Sequence, residues 1–175
     1  TGSFDKANIE ALAQKIEPID IIIDIGANIG AISLPLAKQI RGEGKVFAVE
    51  PSQYAYKKLQ QLLVLNPSLA SHIRPVQAFI GADNMEKPDG VYASWSMVKT
   101  PNRHEDHMGI LTGTQGAKIL SLDELAYHLQ LDCVDWLKID VDGYEAEVLQ
   151  GAQHILKHNR PNILIELNNY KSTGE

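Results

Sequence analysis

Three groups of residues in this chain have the types and spacing for chemistry. The first is the loop Gly26-Ala27-Asn28-Ile29-Gly30, preceded by Asp24, followed by Ser33 and answered by an acid at Glu50. Glycines at both ends let the backbone take positive φ and press against a ligand. Unpaired amides at the start of a following helix would favour an anionic group. The second group is acidic, Asp140, Asp142 and Glu145. Such carboxylates can take a proton from a hydroxyl, cap a helix or hold a divalent cation. The third is His104-Glu105-Asp106-His107. Its histidines are further candidate bases, but the run lacks the H-E-x-x-H spacing and lies in a polar, irregular stretch. A solvated loop is the reading there, and no metal is expected.

The loop discriminates between cofactors. A dinucleotide fingerprint needs G-x-G-x-x-G, its second glycine admitting the pyrophosphate. Here Asn28 holds the second glycine position and Ala31 the third, which argues against NAD and FAD. No Gly-Lys-Ser/Thr follows, so the phosphate loop of nucleoside triphosphatases fails too. A nucleoside cofactor without a pyrophosphate fits better, and S-adenosyl-L-methionine is the common one. Glu50 lies 20 residues beyond Gly30 (50 − 30) at the end of a strand. An acid there is placed to accept both ribose hydroxyls.

The elements that must position these groups alternate along the chain. An amphipathic helix is expected from Asp5 to Ile16, closed by Pro18, then a first strand from Ile19 to Ile25. The apolar run Ile21-Ile22-Ile23 shows no polar alternation, the pattern of a central parallel strand covered on both faces. A helix follows from Ile29 to Ile40 with Pro35 bending its first turns, then strand two from Lys45 to Glu50. Ser52 caps the next helix, which Asn66-Pro67 ends. Strand three runs from Ile73 to Ile80. Residues 81–116 read as a long irregular insertion with one β-like run, Val91 to Val98, and such insertions are usually functional. Ser121-Leu122-Asp123-Glu124 is a capping box opening a helix to Leu129. Strand four, Val134 to Val141, a helix from Tyr144 to Leu156 and strand five, Asn162 to Leu167, complete the pattern. This alternation predicts one α/β domain built on a doubly wound, mainly parallel Rossmann-like sheet, with ligands at the C-terminal strand ends.

Composition narrows the partners. With 175 residues, 44% of them hydrophobic, the chain can bury one sizeable core. Its net charge of -6 and scattered basic residues supply no cationic face for phosphates, so nucleic acid is not expected. No membrane-spanning segment or leader is visible, which makes a cytoplasmic protein the default. Cys133, the one cysteine, excludes an internal disulfide and reads as a buried structural thiol. Trp95 and Trp136 read as packing residues, although Trp95 could line an acceptor pocket. Lys138 reads as snorkelling from a strand end or pairing with an acid.

Six segments in order carry a family resemblance. Asp24 to Gly30 with Ser33, then Val46-Phe47-Ala48-Val49-Glu50-Pro51, look like motif I and the acidic loop of class I methyltransferases. Ser121 to Leu125, Leu137 to Glu145, Val148-Leu149-Gln150-Gly151-Ala152 and the strand ending Ile165-Glu166 narrow this further. Together they resemble the FkbM family of S-adenosylmethionine-dependent methyltransferases, over roughly Ile19 to Leu167. The resemblance implies that Asp24 and the backbone of Gly26, Ala27, Asn28 and Gly30 hold the methionine end, with Ser33 reaching its carboxylate. Glu50 would hold the ribose, Pro51 and Ser52 would line the adenine side, and Ala78 would lie by the ring. Asp140 would face the reactive centre, with Asp142 and Glu145 as further candidate catalytic acids. The family implies O-methylation of a hydroxyl on a carbohydrate or small-molecule acceptor.

Related domains continue past strand five into a closing antiparallel pair. The expectation is therefore a C-terminally truncated sheet whose strand-five edge is open to self-association as a homo-oligomer. Two rival readings remain: a non-catalytic S-adenosylmethionine-binding module, and an NAD-dependent oxidoreductase.

Overall fold

The computed structural model describes residues 12–93, 110–141 and 143–167. At its centre is β1 (Ile21–Ile25), hydrogen-bonded in parallel on both sides. One neighbour is β2 (Lys45–Val49), flanked in turn by β3 (Ile73–Val76). The other is β8 (Trp136–Ile139), flanked by β9 (Asn162–Ile165). The order β3-β2-β1-β8-β9 is parallel throughout and reverses direction at β1. That reversal is the switch point at which doubly wound sheets bind ligands. Pro75 is accommodated because β3 pairs only with β2 among the described residues, so its missing N–H faces away from the ladder.

Side chains that alternate along these strands build two cores. Ile22, Val46 and Ala48 pack with Leu36, Ala37 and Ile40, and with Leu59 and Leu63, on one face. Those residues belong to or follow α1 (Ser33–Ala37) and lie in α2 (Gln53–Leu65), which leads into the one-turn α3 (Pro67–Ala70). Ile23, Ile25, Phe47 and Val49 face the opposite way, against Leu122, Leu125, Val148 and Ile155. These come from α4 (Leu122–Leu129), α5 (Glu145–Gln150) and α6 (Gln153–His158). The unbroken isoleucine run is thus explained by burial on both faces. Ser52 caps α2 by accepting from Ala55 N, and Ser121 with Glu124 forms a reciprocal capping box on α4.

Several expected elements differ. The third strand breaks at Gln77: β3 stays in the main sheet, while β4 (Ala78–Ile80) pairs in parallel with β7 (Lys118–Leu120). The insertion contains an antiparallel pair, β5 (Gly90–Ala93) with β6 (Ile110–Gly113). The helix expected from Ile29 to Ile40 is a helix only over α1, because the loop's positive-φ residues delay its start. The helix expected from Tyr144 to Leu156 is interrupted at Gly151-Ala152. There a Cβ on Gly151 would stand 2.2 Å from the Gly81 carbonyl oxygen, so two backbones meet where a side chain has no room. Asp123 then closes the start of α6, accepting from His154 N at 2.7 Å and Ile155 N at 2.9 Å. Cys133 is exposed, contrary to the buried thiol expected, though partial desolvation of its sulfur, with the carboxylates of Asp135, Asp132 and Asp20 nearby, still pushes its pKa up. Trp136 packs as expected and donates to Asp20 Oδ2 at 2.9 Å. No helix among the described residues is long and apolar enough to cross a membrane.

Candidate cofactor site

The C-terminal ends of β1, β2 and β8 converge on the glycine loop. Three residues of the loop have positive φ: Gly26 (76°), Asn28 (51°) and Gly30 (91°). Asparagine is one of the few side chains that tolerate this region, so Asn28, standing in the second glycine position, still makes the required turn. Gly26 N and Ala27 N both donate to Val49 O, at 3.0 and 2.9 Å, stitching the loop to β2. On the other side a Cβ on Gly26 would stand 1.8 Å from the Asp140 carbonyl oxygen. Only glycine lets the loop pass between the two strand ends.

Glu50 is the hinge of this arrangement. Its amide donates to Val76 O, which fixes it at the tip of β2. Its carboxylate accepts from Asn28 N (2.9 Å to Oε2) and from Ser52 N (2.8 Å to Oε1). Glu50 is only 6% exposed. Burial pushes its carboxyl up to about 7, against the opposing pull of the Ser52 and Asn28 amides and of the Lys138 charge. A carboxylate has about four acceptor positions, so two remain after the amides are served. That donor-hungry pair suits vicinal hydroxyls.

A second polar cluster lies beneath the loop. Parallel register sets Asp24 directly beside Lys138, so both side chains leave the sheet on one face. Asp24 is fully buried; its Oδ2 accepts from Ser33 Oγ at 2.5 Å and its Oδ1 lies 3.1 Å from Lys138 Nζ. The same ammonium donates to Gly26 O at 3.1 Å and stands 3.4 Å from Asp140 Oδ2. Burial alone would lower the Lys138 pKa, but Asp24 first and then Asp140 outweigh it, and the ammonium is held above its ordinary range. Lys138 thus joins the two strand ends and the loop, the acid-pairing role foreseen as one of its two readings.

The predicted residues fall into two layers. Gly26, Ala27, Asn28, Gly30, Glu50, Pro51 and Ser52 gather around the loop and the end of β2, and Asp140 joins them across the sheet with its side chain 31% exposed. Asp24 and Ser33 bond to each other below them, which commits the Ser33 hydroxyl to Asp24. Ala78 opens β4, two residues past the Val76 carbonyl that receives Glu50 N, and is buried. Glu145 is buried at the start of α5, its Oε1 accepting from Gly143 N at 3.0 Å. Asp142, Trp95 and the run from His104 to His107 lie outside the described residues. Among the described residues no cluster of His, Cys, Asp and Glu has the geometry of a metal site. The contribution of Lys138 was legible only as an opposite-sign pair of lone charges inside two apolar strands.

The residues present fit a nucleoside cofactor with no pyrophosphate. The acid at the end of β2 has acceptor capacity to spare, and the loop between strand ends has room only for glycine at Gly26.

Comparison with known proteins points the same way. The model of the methyltransferase FkbM domain matches residues 24–175. The chain is 25% identical over 149 residues to the hexuronic acid methyltransferase AglP of Haloferax volcanii, covering 85% of this chain and 56% of that protein. Its fold resembles the crystal structure of methyltransferase FkbM from Methylobacillus flagellatus, with a TM-score of 0.58 and 19% identity over 86% of this chain and 33% of that one. A precorrin-6y C5,15-methyltransferase from Geobacter metallireducens superposes with a TM-score of 0.55 and 16% identity, over 94% of this chain and 62% of that one. The chain spans about half the length of the curated relative and a third of the FkbM structure. With that match from Asp24 onward, on a sheet of the same architecture, the chain belongs to the FkbM methyltransferase family.

Proposed function

We propose that this domain binds S-adenosyl-L-methionine across the C-terminal ends of β1 and β2 and transfers its methyl group to a hydroxyl of a carbohydrate or other small acceptor. The observation that carries the reading is Glu50, a nearly buried carboxylate fixed by two amides with acceptor capacity left over. Family membership supports the methyl donor. The relative named for hexuronic acid supports a sugar acceptor, and the acidic net charge of -6 disfavours a nucleic acid.

Bound there, S-adenosylmethionine would supply a methyl group already made electrophilic by its sulfonium. The chain's task is then alignment and proton removal. Glu50 would hold the ribose, the backbone from Gly26 to Gly30 would hold the amino-acid end, and Asp140 stands at the switch point between them and the open strand ends. Asp140 is the described acid with an accessible carboxylate at that strand end, placed to take the acceptor's proton as the oxygen is methylated. A positioned base of this kind contributes about 10²–10⁴-fold. Glu145, buried and bonded to Gly143 N, serves the loop and helix start instead.

Incubation with methyl-labelled S-adenosylmethionine and a panel of hexuronic acids, neutral sugars and transfer RNA tests this reading. Label in a sugar fraction, lost with Glu50→Ala, is the expected result. Donor binding with no transfer to any acceptor would make the domain a binding module, and label in RNA alone would overturn the acceptor class.

A further inference from the structure

Lys138 is a fully enclosed ammonium that the transfer step does not use. It contacts two carboxylates and the carbonyl of the first loop glycine, and it lies in register beside Asp24. A lone pairing with Asp24 would suffice to keep that buried acid in the fold. The additional contacts, to Gly26 O and to the accessible Asp140, carry the charge up to the floor of the cofactor loop. The donor and its by-product differ at the sulfur, a methylated cationic sulfonium against a neutral thioether, and share the adenosine and amino-acid groups. Fixed charge beneath the loop therefore acts on their ratio, while loop shape acts on both alike.

We propose that Lys138 sets the charge of the cofactor floor, and that its ammonium weakens retention of the sulfonium relative to the thioether, tuning the exchange of donor for product. The inference rests on reading the site as an S-adenosylmethionine cradle. Its positive charge offsets one of the two carboxylates it touches, leaving the trio with net charge -1 (two acids minus one base). Removing it would leave two uncompensated acids facing a cation. A unit charge changed within about 10 Å of a bound cation alters affinity by about tenfold at an effective dielectric constant near 20.

Calorimetric titration of wild type, Lys138→Met and the double variant Lys138→Met/Asp24→Asn with S-adenosylmethionine and S-adenosylhomocysteine tests it. Lys138→Met should shift the ratio of the two dissociation constants about tenfold toward the donor. The double variant, which removes one charge of each sign, should return the ratio to within about threefold of wild type. Equal weakening of both ligands by Lys138→Met would show a purely structural role and overturn the proposal, as would a double variant that keeps the shifted ratio. If Lys138→Met alone does not fold, Asp24→Asn compared with the double variant decides: a ratio about tenfold nearer the donor in the double variant supports the proposal, and equal ratios overturn it. If wild type binds neither ligand, the cradle reading itself fails, an outcome distinct from all of these.

Discussion

The amide of Asn28 donates to Glu50 Oε2 at 2.9 Å, so the loop after β1 and the acid that ends β2 form one hydrogen-bonded unit. A ligand that engages either therefore meets a site whose two halves are already in position. This relationship makes Glu50, the proposed acceptor for ligand, a part of the loop's own support as well.

Replacing Glu50 by alanine should weaken S-adenosylhomocysteine binding by about 100-fold, since hydrogen bonds to a charged acceptor contribute roughly 1.5 kcal/mol each at the low end and two are lost. Calorimetry measures it directly. Unchanged affinity would remove Glu50 from the ribose.

The same residue should make the ligand-free protein less stable as pH rises. The folded carboxyl keeps its proton to about pH 7, against 4.5 for the free side chain. Between those values the folded state holds more protons than the unfolded one, so stability falls with rising pH. The loss is about 3 kcal/mol across that window, full stability from this group being present below the unfolded pKa. Urea unfolding at pH 5 and pH 8 reads the slope, and Glu50→Gln should flatten it. Hydroxyl donors favour the ionised carboxylate, so cofactor affinity should tighten as pH rises through 7.

Ser33→Ala should destabilise the fold without touching any group at the sheet's ligand edge. Asp24 Oδ2 would lose its hydroxyl partner in a fully buried setting. Leaving such an acceptor short costs about 1–3 kcal/mol, visible as a lowered urea midpoint.

Gly26→Ala should be the most damaging single change in the loop. It combines a φ of 76° with a new Cβ 1.8 Å from Asp140 O. Overpacking and left-handed strain together cost on the order of 3 kcal/mol. Asn28→Gly, at a φ of 51°, should leave stability within about 1 kcal/mol, because glycine adopts that conformation freely and the backbone amide still reaches Glu50.

Much of the fold around this site is legible in the sequence alone, and the reasons differ by residue. The isoleucine run of β1 betrays burial on both faces, and the distance from Gly30 to Glu50 is set by one helix and one strand. The cap at Ser52 and the box at Ser121 and Glu124 are local, so their chemistry is written in adjacent residues. Long-range pairings are not. The break at Gln77 depends on β7, some forty residues away, offering β4 a separate partner. The split of the expected helix after Tyr144 depends on Gly81 approaching Gly151. The Asp24–Lys138 pair depends on strand register, which neither strand encodes alone. Cys133 looked buried because an apolar strand follows it, yet it sits before that strand begins and remains exposed.

The central claim is that the loop and Glu50 form a cradle for a nucleoside methyl donor and not for a dinucleotide. Calorimetric titration of the wild-type chain with S-adenosylhomocysteine and, separately, with NAD tests it most directly. Saturable one-site binding of S-adenosylhomocysteine and no heat from NAD are the expected results. Binding of NAD with none of S-adenosylhomocysteine would contradict the claim.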